Sequence, residues 1–208
     1  MSQVDSTVFV VDDDPSVCRA LSRLIRSVGL NVKTFTSARK FLDSCPLEVP
    51  GCLVLDVRMP GMSGLEIQDW LDEAGIRIPI IFITGHGNIA MSVKAIKGGA
   101  IDFLEKPFDD QALVDGVHRA IALDTDARRD QAEVDEIRQR VQRLTPRELE
   151  VLSFVVTGML NKQIGMTLGT SEKTIKVHRS RVMQKMRAGS LAELIRLADR
   201  AGVAHPKV

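Results

Sequence analysis

Five short runs rich in β-branched and apolar residues punctuate the first part of the chain: TVFVV (7–11), NVKTF (31–35), CLVLD (52–56), IIFIT (80–84) and IDFLE (101–105). Each is strand-length and flanked by turn-forming Gly, Pro, Asp or Ser. Between them, 15–28, 37–44, 65–74, 89–98 and 109–123 carry apolar residues at helical spacing. Five alternating strand–helix units predict an α/β fold, a doubly wound parallel five-stranded sheet with helices on both faces. Such sheets bind ligands beyond the carboxyl ends of their strands, where the strand order reverses.

The pattern changes after residue 143, where only helical signals remain. Thr145-Pro146-Arg147-Glu148 has the form of a capping box with proline in the first turn, and Gly158 closes that helix. Asn161 is placed to cap a short helix to Leu168, with Gly169 as its stop. Ser171 caps a longer helix through Met186, followed by Gly189, and Ser190 with Glu193 forms a second capping box before a last helix that Gly202 ends. This predicts a small all-α four-helix unit over 144–208, whose 161–168 and 171–186 helices have helix-turn-helix spacing.

The segment 124–143 is ambiguous. Leu123, Ala127, Asp130, Val134, Ile137, Val141 and Leu144 recur at steps of four and three, the spacing of a heptad seam. A helix continuing from the first unit and pairing in a dimer, or a charged flexible linker, both fit. The expected domains are therefore 1–123, a linker over 124–143, and 144–208.

Composition sharpens the division. Among the 208 residues, 44% are hydrophobic, enough for two cores. No stretch reaches the roughly 18 uncharged apolar residues of a membrane span, and no signal-peptide pattern opens the chain, so a cytoplasmic protein is expected. Cys18, Cys45 and Cys52 have neither pairing nor zinc-ligand spacing and read as reduced core thiols. Residues 1–123 hold 12 Lys/Arg against 16 Asp/Glu, a balance of −4, whereas 144–208 hold 11 against 5, a balance of +6. An acidic first unit and a basic last one point to a cation or phosphate site ahead of a nucleic-acid module, unless surface charge merely varies along the chain.

The candidate chemistry lies where strands end. VFVVDDDPSV (8–17) breaks from a buried run into three carboxylates. Asp14-Pro15 is a helix start, which leaves Asp12 and Asp13 for a pocket that Asp56 joins from the third strand. Ionised acids this close repel, and a hard divalent ion such as Mg²⁺ relieves them; the alternative is a solvated loop. Lys106 precedes Pro107, whose peptide bond can be cis, and Thr84 ends the fourth strand. Carboxylates, Mg²⁺, a lysine and a hydroxyl form a set suited to a transferring phosphoryl group. GHGNIA (85–90) fits a dinucleotide fingerprint, but on the fourth unit instead of the first, and the first turn holds aspartates that would repel pyrophosphate. His86 reads as a loop histidine. Arg58, two residues after Asp56, departs from an aspartate-nucleophile hydrolase, which would carry a second acid there.

VVDDD, VLDVRMPGMSG, FITGHG and DFLEKPF, in this order and spacing, resemble the receiver domain of bacterial two-component response regulators over residues 5–123. The resemblance implies a flavodoxin-like receiver in which Asp56 accepts phosphate from a sensor histidine kinase. It implies that Asp13, Asp56 and the Arg58 backbone carbonyl ligate Mg²⁺ (or Mn²⁺), with Asp12 acting through water. Lys106 and Thr84 would hold phosphoryl oxygens, and Phe103 would change rotamer as a switch. The protein would take part in its own phosphorylation and slow dephosphorylation without being an enzyme of metabolism.

On the 171–186 helix, Ile175, Val182 and Met186 share one face, while Lys173, Lys176, Ser180 and Arg181 point outward; this basic face suits DNA or is simply solvated. LTPRELEVL and GMLNKQIGMTLGTSEKTIKVHRSRVMQKM resemble the LuxR-type helix-turn-helix, and the pairing resembles the FixJ/NarL class, nearest its FixJ side. The resemblance implies Lys176 and Val177 at bases and Lys173, Thr174, His178 and Arg181 at phosphates. Ser180 departs from relatives that carry a base-reading lysine there. Double-stranded promoter DNA, a homodimer formed on phosphorylation and RNA polymerase are the implied partners, with the balance towards an activator.

Overall fold

The computed structural model describes residues 6–44, 49–85 and 89–204. Cys45, His86 and the middle of the GHGNIA pattern lie outside the described residues. The chain divides into two compact units, Met1–Arg128 and Arg129–Val208.

The first unit runs β1 (Thr7–Val11), α1 (Pro15–Ser27), β2 (Asn31–Phe35), α2 (Ala38–Ser44), β3 (Gly51–Asp56), α3 (Gly64–Glu73), β4 (Ile80–Thr84), α4 (Ile89–Lys97), β5 (Asp102–Glu105) and the start of α5 (Asp110–Gln142). All strand pairs are parallel, in the order β2-β1-β3-β4-β5. The order reverses between β1 and β3, and Val11 pairs with Leu55, so Asp12 and Asp56 leave the sheet side by side. Alternation sorts the strand residues. Phe9, Val11, Leu53, Leu55 and Phe82 face α2, α3 and α4, whereas Val8, Val10, Val54, Ile81 and Ile83 face α1 and α5. Cys18 and Cys52 are buried free thiols, and burial pushes Cys52 up to about 12.

Asp14 caps α1 as its position suggests, its Oδ1 accepting the Ser16 N–H at 2.7 Å. The helix α5 runs unbroken through 124–142. Its heptad-like positions have separate fates. Leu123 is 53% exposed, but Ile137 and Leu144 are buried in the core of the second unit with Val141 packed beside them. Those three are occupied within the chain and are not free to pair with a second copy. Asp124, read as the first linker residue, is buried, its carboxylate accepting the Gly51 N–H and the Arg128 Nε–H.

In the second unit, α6 (Pro146–Val155), α7 (Asn161–Thr167), α8 (Glu172–Met186) and α9 (Leu191–Ala201) follow the end of α5. Thr145 and Glu148 form the reciprocal capping box. Two helix starts differ from the sequence reading, and the end of α8, at Met186 as expected, has an unexpected turn. Leu160, not Asn161, stands at the N-cap of α7, its N–H satisfied by Gln163 Oε1, while Asn161 Oδ1 accepts from Arg179. Glu193 turns its carboxylate to the Gly189 N–H instead of closing the box on Ser190. Arg187, not a glycine, takes the left-handed position after α8, with φ 55°.

Candidate functional site

The carboxyl ends of β1, β3, β4 and β5 bring Asp12, Asp56, Thr84 and Lys106 to one edge of the sheet. The Lys106 ammonium donates to Asp12 Oδ2 at 2.6 Å and to Asp56 Oδ1 at 2.8 Å. Its peptide bond to Pro107 is cis. The remaining oxygens are held by backbone: Asp12 Oδ1 accepts the Asp14 N–H at 2.9 Å, and Asp56 Oδ2 accepts the Arg58 N–H at 2.7 Å. Thr84 is fully buried, and its carbonyl accepts the Lys106 N–H at 2.7 Å, which fixes β5 against β4 at this point.

Two buried carboxylates therefore share one ammonium. Burial raises the Asp12 carboxyl above its ordinary range, despite the opposing bonds from Lys106 and Asp14. Burial works against the Lys106 charge as well, but its bonds to Asp12 and Asp56 outweigh this and hold its pKa high. Asp13 is exposed beside them. Surplus negative charge on hard oxygen donors fits a divalent cation of the Mg²⁺ class. Among the described residues no three His, Cys, Asp or Glu side chains gather to hold a metal unaided. A cation here would thus keep water in its shell, as Mg²⁺ does.

The turn MPGMSG after Asp56 is drawn back onto the strand. The Gly64 N–H bonds the Val57 carbonyl at 3.0 Å, and a Cβ on Gly64 would stand 2.3 Å from the Asp56 carbonyl oxygen. Phe103 is half-buried in the α2–α3–α4 core, its ring centroid 6.3 Å from that of Phe82. A groove of about 540 Å³ lined by Gln68, Leu71, Ile78, Gly98, Ile101 and Leu123 lies at the opposite, amino end of the strands, away from the acids.

In the second unit, α8 buries Ile175, Val182 and Met186 and exposes Lys173, Thr174, Lys176, Val177, Ser180 and Arg181. His178 is half-buried, and its Nδ1 has no hydrogen-bond partner among the described residues. Ser171 Oγ caps the helix through the Thr174 N–H, and Lys176 pairs with Glu172 across one turn. Glu148, which the sequence reading used only as a cap, is also bound by Lys185 Nζ at its Oε2. Asn161 with Arg179 fastens α7 to α8, so the exposed cations stand on a braced scaffold. The outward set of cations on a braced helix can meet phosphates and base edges in a major groove.

Comparison with known proteins places both units. Residues 8–118 match the response regulator receiver domain, and residues 142–198 match the luxR family of bacterial regulatory proteins. Nodulation protein W of Bradyrhizobium diazoefficiens is 52% identical, with 94% of this chain and 86% of that protein covered. The transcriptional regulatory protein FixJ of Rhizobium meliloti is 44% identical, with 95% and 97% covered. The solved structure of the response regulator StyR overlays with a TM-score of 0.85 at 48% identity, covering 94% of this chain and 99% of that one. The chain belongs to the two-component response regulators, as a transcription regulator that joins a receiver domain to a LuxR-type helix-turn-helix DNA-binding domain.

Proposed function

We propose that Asp56 takes a phosphoryl group from a sensor histidine kinase and that the acyl phosphate drives dimerisation and promoter binding, with activation of transcription through RNA polymerase as the outcome. The observation that carries this is the pair of buried carboxylates, Asp12 and Asp56, sharing the single Lys106 ammonium at the strand-order reversal. An Asp56 oxygen attacks phosphorus in line as the bond to the kinase histidine nitrogen breaks, and the electron pair leaves with that nitrogen. Lys106 moves from the carboxylates to a phosphoryl oxygen, and the Thr84 hydroxyl donates to another. Phe103 follows Thr84 by changing rotamer. Asp13, Asp56 and the Arg58 carbonyl would hold Mg²⁺ or Mn²⁺, with Asp12 reaching it through water; bound there, the cation neutralises phosphoryl oxygens.

Exposed Ile89, Val93 and Ile96 follow one another at helical spacing on α4, which supports the α4–β5 face as the surface that pairs. Residues 1–123 carry this chemistry and 144–208 the DNA contacts, with α5 continuous through 124–142. Lys176 and Val177 approach bases; Lys173, Thr174, His178 and Arg181 approach phosphates, with Ser180 facing the groove. No helix among the described residues is long and apolar enough to cross a membrane, in keeping with a cytoplasmic regulator. The receiver takes part in its own phosphorylation and slow dephosphorylation. Asp56→Asn is expected to abolish the acyl-phosphate adduct in mass spectrometry and acetyl-phosphate-stimulated dimerisation and DNA binding. Undiminished stimulation in that variant refutes the switch.

A further inference from the structure

The end of α8 is held by residues that lie before the stretch matching the luxR family, which begins at 142. The last carbonyls of any helix lack partners within it and need donors from elsewhere. Arg187 turns the chain through the left-handed region, which disfavours a side chain, and no other non-glycine among the described residues does so. That turn satisfies the Gln184 and Met183 carbonyls through the Arg187 and Ala188 N–H groups. The Met186 carbonyl is bonded from outside, by Arg140 of α5, whose guanidinium donates at 3.2 Å. The other arm of that guanidinium donates to Glu136 at 2.6 Å, and Glu136 also stands 3.7 Å from the Arg187 guanidinium.

The anchor itself is fixed. Ile137, between Glu136 and Arg140, is 1% exposed in the core that Ile175, Val182 and Met186 of α8 share. Arg200 of α9 pairs with Glu133 at 2.9 Å, and Lys185 reaches the Arg143 carbonyl at 3.1 Å. A cation against a helix carboxyl end also suits the helix dipole. Residues 129–142 thus pack as a further helix of the second unit and not as a spacer.

We infer that Arg140, set by Glu136, is a positioning residue for DNA recognition: it fixes the last turn of α8 and through it the approach of Lys173, Lys176, Val177 and Arg181 to DNA. This rests on α8 being the DNA-reading helix. The test uses the full chain and a duplex selected by it from a random pool. Arg140→Gln should weaken binding about tenfold, as expected for a charge-assisted hydrogen bond, without changing the salt dependence, because a residue that acts through the α8 carboxyl end displaces no counterion from DNA. Amide exchange should quicken at 184–188 while the rest of α6 to α9 keeps its protection. Arg140→Lys, which still donates to the carbonyl, should restore most of the affinity, and Glu136→Gln should fall between. Unchanged affinity, a shallower salt dependence, or faster exchange throughout the unit would each overturn the assignment. Arg181→Ala is the control: if it too binds as tightly as the parent, the reading of α8 fails first, and if only Arg140→Gln is silent, the positioning claim fails alone.

Discussion

Each unit contains a buried carboxylate joined to a lysine, and the two are built to opposite ends. In the receiver, Asp12 and Asp56 compete for Lys106, and burial pushes Asp12 up. In the DNA-binding unit, Glu148 is served by the Lys185 ammonium, the Thr145 N–H and the Thr145 hydroxyl, which together hold its carboxyl below the ordinary range despite burial. One arrangement is short of positive charge, and so can gain from a metal or an arriving phosphoryl group. The other is already satisfied. A buried carboxylate–lysine pairing is left open or locked according to how many donors each carboxylate oxygen receives.

The contrast can be broken most severely at Lys106. Lys106→Met should slow labelling of Asp56 by acetyl phosphate by roughly 10²–10³-fold, the usual effect of removing an electrostatic stabiliser of transferred charge. Mass spectrometry of the intact protein over time measures this; labelling at the parent rate would show that Lys106 is not part of the chemistry. The matching change in the other unit is Glu148→Gln. It should destabilise that unit by about 1–3 kcal/mol through the stranded Lys185 and weakened cap, with Asp56 labelling unaltered. Chemical denaturation followed by exchange in α6 and α8 reads it out.

Acid sharpens the distinction further. Because the folded pKa of Glu148 lies below its ordinary value of 4.5, its stabilising contribution is full above that value and lost as pH falls through the lowered one. The stability difference between the parent and Glu148→Gln should therefore shrink at low pH. At Asp12 the sign reverses: a raised pKa makes the charged form the costly one, so protonation relieves the cluster. The smallest effect is expected at Ser171→Ala, which removes the α8 cap and should cost about 1 kcal/mol in thermal unfolding of the second unit.

Sequence patterns were most informative where a local rule coincides with a tertiary one. The strands, the Asp14-Pro15 start and the Thr145/Glu148 box depend on spacing alone, and the structure has them. The convergence of Asp12, Asp56, Thr84 and Lys106 was legible because a parallel sheet collects its strand ends on one edge. The failures occur where distant partners decide. Asn161 has the right chemistry for a cap but is recruited by Arg179 eighteen positions away. The heptad-like spacing of Ile137, Val141 and Leu144 looks the same whether its apolar face meets a second copy or α6 and α8. Asp124 and Arg128, four apart on a helix, could have been noticed as a pair, but nothing local signalled the Gly51 N–H they enclose.

The approach of Gly64 to Asp56 limits what the loop after Asp56 can accept. In the sequence, position 64 is the last letter of the turn MPGMSG between Asp56 and the next helix, and invites replacement. In space there is room for a hydrogen and nothing larger, since even a methyl group would collide with main-chain oxygen that cannot swing aside. An alanine there would be felt first at the Asp56 peptide, so a residue without a side chain sets where the Asp56 main chain can lie.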